Sequence, residues 1–207
     1  QTFEATNVGI QIGSKAVAAA LVGRIVAAAE GLGVKYVISP ECGHAYSALK
    51  WEGPNLIGRA YGFEVVHIVE LLDRLLAEGR IRLKGKDGRK LTFHDPCQLV
   101  RRGGIVEEPR RVLRAVAGNF VEMDGAGLAN ICCGGGGGVS TNSRAEPLRL
   151  AAFRCKKDQI ERLSGIEGVV TACANCRNVM EEAMEHYGME LPVIGLGEML
   201  AQYLEPP

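Results

Sequence analysis

The sequence predicts an α/β fold with mainly parallel strands, and three observations lead to this prediction. Short β-rich runs alternate along the chain with longer helical runs, which is the pattern of βαβ units. Each β-rich run is bounded by Gly, Pro, Asp or a helical run. Of the 207 residues, 47% are hydrophobic and 23% are charged, so the chain has enough apolar side chains for a buried core.

The individual elements follow from local periodicity and breakers. The strands are predicted at 35–39, 63–67, 91–94, 120–123, 130–132, 168–172 and 191–196. The helices are predicted at 14–30, 68–78, 109–117, 145–163, 177–186 and 198–203. In an α/β fold the loops that follow the strands build the sites, so the residues just after each strand are of most interest.

Charge and hydropathy exclude several classes of protein. The 24 basic residues balance the 24 acidic ones, so no net field favours nucleic acid as a partner. The longest apolar stretch, Ala16 to Ala29, is interrupted by Gly23 and Arg24 and is shorter than the roughly 20 residues of a membrane span. The first five residues lack a secretory pattern. We therefore expect a cytoplasmic location.

A weak internal repeat organises the chain. Ser39-Pro40-Glu41-Cys42 aligns with Cys173-Ala174-Asn175-Cys176, and Glu70-Leu71-Leu72 aligns with Glu198-Met199-Leu200. The repeat predicts two related Rossmann-like modules with mainly parallel sheets, the first one incomplete. Residues 1–85 would be the second half of a degenerate module, and residues 86–207 a complete one, with 79–90 as a polar linker. The chain would then be a fragment of a longer protein.

Five of the seven cysteines follow predicted strands of the complete module. They are Cys97, the adjacent pair Cys132 and Cys133, and Cys173 and Cys176. The carboxyl ends of parallel strands share one edge of the sheet, so these thiols are expected to converge on one pocket.

The number and spacing of these thiols favour a polynuclear centre over a single ion. Zinc usually takes four ligands, whereas five thiols are present. Adjacent side chains on an extended backbone point apart, so Cys132 and Cys133 require either a large ligand or a sharp bend. An iron-sulfur cluster satisfies this requirement. The glycines from Gly134 to Gly138 would let backbone amides approach an anionic cluster; a flexible loop is the alternative.

At this point the sequence resembles a known family. The motifs His94-Asp95-Pro96-Cys97, Cys132-Cys133-Gly134-Gly135 and Cys173-x-x-Cys176 are similar to the cysteine-rich "CCG" domain. That domain occurs in heterodisulfide reductase catalytic subunits and in iron-sulfur subunits of glycolate, lactate and glycerol-phosphate oxidoreductases. The run from Pro40 to Tyr46 resembles the K-type (DsrK) subunits of membrane complexes of dissimilatory sulfur metabolism.

The resemblance implies a noncubane [4Fe-4S] cluster held by Cys97, Cys132, Cys133, Cys173 and Cys176. It also implies an oxidoreductase that reduces or oxidises a disulfide or trisulfide of a small dithiol sulfur-carrier protein. Membrane electron-transfer subunits would attach it peripherally to the membrane, and an upstream part would hold further [4Fe-4S] clusters. The alternatives are an electron-relay subunit of a hydroxy-acid oxidoreductase and a zinc-stabilised interaction domain.

The positions of four further residues predict their roles. His94 is predicted to lie beside the cluster and to donate a proton to a departing thiolate. Cys42 is predicted to face the site as a catalytic thiol. For each, an ordinary buried residue is the competing interpretation. Cys155 and His67 are predicted to be core residues.

Overall fold

The α/β prediction is confirmed by the computed structural model, which describes residues 7–206. The N-terminal stretch used to predict the location lies outside this range. The strands are β1 (Tyr36–Ser39), β2 (Glu64–His67), β3 (Asp87–His94), β4 (Ala117–Val121), β5 (Gly168–Thr171) and β6 (Val193–Gly195). The helices are α1 (Asn7–Gln11), α2 (Lys15–Gly31), α3 (Gly43–Ser47), α4 (Gly53–Ile57), α5 (Ile68–Ala77), α6 (Glu108–Val116), α7 (Glu146–Glu161), α8 (Ala174–His186) and α9 (Leu196–Tyr203).

The strands form two sheets, and the strand pairs within each are parallel. One sheet pairs β1 with β2, and the other has the order β4-β3-β5-β6. Strands β3 and β5 are neighbours, with Leu91 opposite Gly168 and His94 opposite Thr171. Their carboxyl ends therefore lie side by side, and Cys97 and Cys173 follow directly.

Local sequence explains where several helices begin. The Ser14 hydroxyl accepts a hydrogen bond from the Val17 amide at the start of α2. At the start of α5 the His67 ring accepts from the Val69 amide, while the Glu70 carboxylate accepts from the His67 amide. His67 is fully buried, as predicted.

Two apolar clusters form the core. The first joins residues of both predicted modules, such as Val22 and Val65 with Leu91 and Leu113. The second packs around Phe153 and Met180 and includes three buried cysteines: Cys133, Cys173 and Cys176. These three cysteines therefore belong to the core and not to a surface loop. Within residues 7–206, no helix combines the length and apolarity that a membrane crossing requires.

Several sequence predictions need correction. Residues 130–132 form no strand. They follow a short helical turn and continue as irregular backbone into the glycine run, Gly134 to Gly138. Strand β3 begins at Asp87, inside the predicted linker, and α8 begins at Ala174, before the predicted start at residue 177. Cys155 is exposed, because its side of α7 faces solvent.

The repeat is also shifted relative to the predicted alignment. Cys42 and Cys173 each cap the following helix, with φ/ψ of −149°/101° and −151°/112°. Cys42 therefore corresponds to Cys173, not to Cys176. The position that corresponds to Cys176 is Ala45, whose amide donates to the Cys42 thiol.

Candidate metal centre

Five thiols meet at the carboxyl edge of the four-stranded sheet. The Sγ atoms of Cys133 and Cys176 lie 3.4 Å apart. Cys132 lies close enough to Cys97 and Cys133, and Cys173 to Cys176, for these thiols to shift one another's pKa values. The contacts thus run without a break from Cys97 to Cys173, although the residues are far apart in sequence.

Different elements position these thiols. Cys97 follows β3 and begins a π-helical turn at Gln98–Arg102, and Cys173 follows β5 as the N-cap of α8. Cys176 lies in the first turn of α8. Arg101 stabilises the loop that carries Cys132 and Cys133. Its guanidinium donates hydrogen bonds to the backbone carbonyls of Leu128 and Asn130.

Backbone amides surround the sulfur atoms. The Gly134 amide lies 3.3 Å from Cys132 Sγ, and the Cys176 amide lies 3.5 Å from Cys173 Sγ. The Gly43 amide also donates to Cys173, so α3 of the first half contributes to the site. Such donors stabilise thiolates.

The contacts between the thiols shift their pKa values in opposite directions. Donation from Cys133 and Cys97 holds the pKa of Cys132 far below its usual range. Donation from the Cys176 side chain lowers the pKa of Cys173 to about 7. The same contacts raise the pKa values of Cys97, Cys133 and Cys176. The site therefore favours thiolates at Cys132 and Cys173, and a thiolate is the form that binds metal.

His94 stands beside the thiols without a partner. It is 1% exposed, and within residues 7–206 neither ring nitrogen has a hydrogen-bond partner. The ligand atoms of His94, Cys133 and Cys176 all lie within 4.8 Å of one another. Burial lowers the pKa of His94 to about 3, so the ring is neutral at physiological pH. A buried unpartnered imidazole is costly unless another group occupies the site.

Glycines allow the chain to pack closely around the thiols. A Cβ atom on Gly135 would lie 2.5 Å from Val179 Cγ2 of α8, and one on Gly43 would lie 2.4 Å from the Leu99 nitrogen. Gly134, with φ of +92°, has a backbone conformation that other residues rarely adopt. Gly134 and Gly135 are thus closely packed, whereas an added Cβ atom on Gly136, Gly137 or Gly138 would meet no atom closer than 3.7 Å.

One side of the thiol cluster reaches the surface. Cys97 and Cys132 are half-buried, whereas Cys133, Cys173 and Cys176 are buried. A cleft of about 190 Å³ opens nearby and is lined in part by His44, Gln98 and Gly137.

The thiol of Cys42 lies near Cys173 but outside the chain of contacting sulfurs. Burial raises its pKa, so it is protonated at neutral pH. It also lies at one end of an apolar groove of about 470 Å³ that runs between α2 and β1.

Among the charged residues that sequence reasoning did not place in the core, one lies beside the thiols. Lys156 on α7 is 1% exposed, and the cysteines Cys132, Cys133 and Cys176 are among the groups that act on its charge. Its spacing from Phe153 and Ile160 places it on the apolar stripe of the helix, and this spacing was the available signal.

The donor set fits a polynuclear metal centre. Five thiols exceed the four ligands of a structural zinc ion. The adjacent pair contacts different partners, since Cys132 meets Cys97 and Cys133 meets Cys176. Thiolate ligands and surrounding amides are typical of iron-sulfur sites.

Comparisons with known proteins agree with this chemistry. The family described as "Cysteine-rich domain" (CCG) matches residues 91–181. A subunit of the dihydromethanophenazine:CoB–CoM heterodisulfide reductase of Methanosarcina acetivorans is 33% identical over 79% of this chain and 39% of its own length. The EtfAB:quinone oxidoreductase of Syntrophomonas wolfei is 38% identical over 74% of this chain and 21% of its own length.

A third relative is an Hdr-like menaquinol oxidoreductase iron-sulfur subunit of Archaeoglobus fulgidus. It is 29% identical over 87% of this chain and 39% of its own length. The chain therefore spans at most 39% of the length of these three relatives.

Proposed function

Because residues 91–181 belong to the cysteine-rich CCG domain family, we propose that this chain is the cluster-binding part of an electron-transferring iron-sulfur subunit. The convergence of five thiols on one buried site supports this proposal most directly. The relatives support it too, since all three are oxidoreductases or oxidoreductase subunits.

The proposed cofactor is a noncubane [4Fe-4S] cluster. Cys97, Cys132, Cys133, Cys173 and Cys176 would hold it, and the amides of Gly43 and Gly134 would donate hydrogen bonds to the ligand sulfurs. When bound, such a centre supplies or accepts single electrons. Residues 86–207 would form the complete module and residues 1–85 the remaining half of a degenerate one.

The proposed substrate is a disulfide or trisulfide of a small dithiol sulfur-carrier protein in dissimilatory sulfur metabolism. Cleaving one S–S bond to two thiols consumes two electrons and two protons, and the reverse reaction releases them. The half-exposed edge formed by Cys97 and Cys132 gives such a partner access to the site. A pure electron relay could bury all its ligands, so this exposure favours the reductase over the hydroxy-acid relay.

Two residues would assist the reaction. The protonated thiol of Cys42 would supply one proton to a departing sulfur. His94 is neutral at physiological pH, so its ring N–H would donate a hydrogen bond to sulfur and would not release a proton. This modifies the role predicted for His94 from sequence.

The electrons would come from, or go to, membrane-bound partner subunits. The Archaeoglobus relative is named as a menaquinol oxidoreductase subunit. We therefore propose a cytoplasmic chain attached peripherally to the membrane, with K-type subunits of sulfur-metabolising complexes as its functional counterparts.

Anaerobic reconstitution with iron and sulfide tests the proposal. We expect about four irons per chain and a paramagnetic signal, and serine replacement of any of the five clustered cysteines should lower the iron content. The Cys155→Ser variant is the matched control, because that thiol is exposed on α7. Stoichiometric zinc, with two of the five cysteines dispensable, would refute the proposal. The Cys42→Ser variant should retain its iron and cleave the carrier disulfide more slowly.

A further inference from the structure

Lys156 is a buried cation without an anionic partner in its immediate contacts. Its side chain lies beside the second apolar cluster and is 1% exposed. Within residues 7–206, its ammonium makes hydrogen-bonding contacts with neutral atoms only, namely Met123 Sδ at 3.7 Å and the side-chain oxygen of Gln159. A buried charge is strongly unfavourable unless a compensating charge lies nearby.

Asp95 is the carboxylate that acts on the charge of Lys156, and it is already paired with Arg110, which also binds Glu122 at 2.7 Å. Asp95 forms a bidentate ion pair with Arg110 at 2.9 and 2.8 Å and accepts the Gly127 amide at 2.7 Å. The other groups that favour the charged form of Lys156 are three thiols of the cluster, Cys132, Cys133 and Cys176. Burial lowers the pKa of Lys156 to about 8, which still leaves the amine mostly protonated at pH 7.

We propose that Lys156 is the buried counter-cation of the cysteine-ligated centre and raises its reduction potential. This inference rests on the proposed function. A fixed positive charge stabilises the reduced centre, which carries one more negative charge than the oxidised centre, and the low dielectric of the interior strengthens the interaction. Lys156 acts on the centre through its charge, without touching substrate.

The test is a potentiometric titration of the reconstituted protein, monitored by paramagnetic resonance. Lys156→Met removes the charge and preserves the length of the side chain. We expect the ratio of reduced to oxidised centre at a fixed ambient potential to fall about tenfold, equivalent to about 59 mV for one electron. Lys157→Met is the matched control, because the neighbouring amine is partly exposed and pairs with Glu161 at 2.5 Å. Its potential should stay within experimental error of the wild type.

The possible outcomes separate this inference from the proposed function. A wild-type protein that binds no iron overturns both. A wild-type protein with a centre whose potential is unchanged by Lys156→Met overturns only the role of Lys156. Lys156→Gln provides a second neutral side chain; if both variants lose the centre or the fold, Lys156 has a structural role and the inference is wrong.

Discussion

Close packing of the glycine run against α8 predicts that Gly135→Ala destabilises the protein. The added Cβ would lie 2.5 Å from Val179 Cγ2 and 3.1 Å from Val179 Cβ, whereas ordinary contact begins at 3.4 Å. Val179 is 3% exposed and lies within a helix, where a β-branched side chain has one strongly preferred rotamer. The valine therefore cannot turn away, and the backbone of the loop must move by roughly 0.9 Å.

Overpacking of this kind costs about 1–3 kcal/mol. We expect that loss in the free energy of unfolding, measured by anaerobic urea denaturation under reducing conditions, together with a lower iron content after reconstitution. Gly136→Ala is the matched control, since the nearest heavy atom to its Cβ would be His44 Nε2 at 3.9 Å. Its stability should change by less than about 0.5 kcal/mol.

A double-mutant cycle identifies the clash as the cause. Val179→Ala alone should cost about 2 kcal/mol, because it removes two buried methyl groups. In the double variant with Gly135→Ala the new methyl occupies the vacated space, so the combined loss should be about 1–3 kcal/mol smaller than the sum of the single losses. Additive losses, or equal effects of Gly135→Ala and Gly136→Ala, would refute the packing argument.

Two further predictions concern stability. Asp95→Asn removes the buried one of the two carboxylates that pair with Arg110, leaving only the half-buried Glu122, and should cost up to about 3–5 kcal/mol in urea unfolding. Glu52→Gln, in an exposed pair with Arg102, should cost at most about 1 kcal/mol, and comparable losses would contradict this account. Burial lowers the pKa of His67 from 6.5 to about 4, so between these pH values the unfolded chain binds a proton that the folded protein does not. The free energy of unfolding should therefore be unaffected by His67 above pH 6.5 and should fall by up to about 1.4 kcal/mol per pH unit as the pH drops to 4. His67→Asn keeps a capping side chain that does not titrate, so a curve of stability against pH that is unchanged in this variant would disprove the assignment.

Most of the fold was predictable because its signals are local. The parallel α/β class follows from the alternation of short apolar runs and amphipathic helices, and the helices over 68–77 and 146–161 lie close to their predicted bounds. The region around 130–132 was mispredicted as a strand, since short apolar runs have no periodicity that separates strand from irregular backbone. There, the Arg101 guanidinium donates hydrogen bonds to the backbone carbonyls of Leu128 and Asn130, and these bonds take the place of strand pairing.

The alignment of the repeat shows a different limit. Sequence placed Cys42 on Cys176, because both are the last residue of an aligned four-residue motif. In the structure the strand ends Ser39 and Thr171 and the helix starts Gly43 and Ala174 correspond, so the repeat is shifted by two to three residues from the predicted alignment and Cys42 pairs with Cys173. A shift of a few residues cannot be detected in so weak a repeat, but it changes which cysteines correspond.

The amino-acid sequence by itself determined the sheet type and the position of Cys97 and Cys173 at its carboxyl edge, because strand ends in a parallel sheet share one edge whatever the loops between them do. Cys132 and Cys133 follow a short helical turn in place of the predicted strand, so only the tertiary structure brings their loop to that edge. Only the tertiary structure decided which polar residues on α7 are enclosed: Lys156 is buried beside the thiols, while its near neighbour Cys155 is exposed. Helical periodicity gives the angle between two side chains around the helix axis. The segments that pack against each face of the helix, however, are distant in the sequence. Their positions are fixed only when the whole core packs.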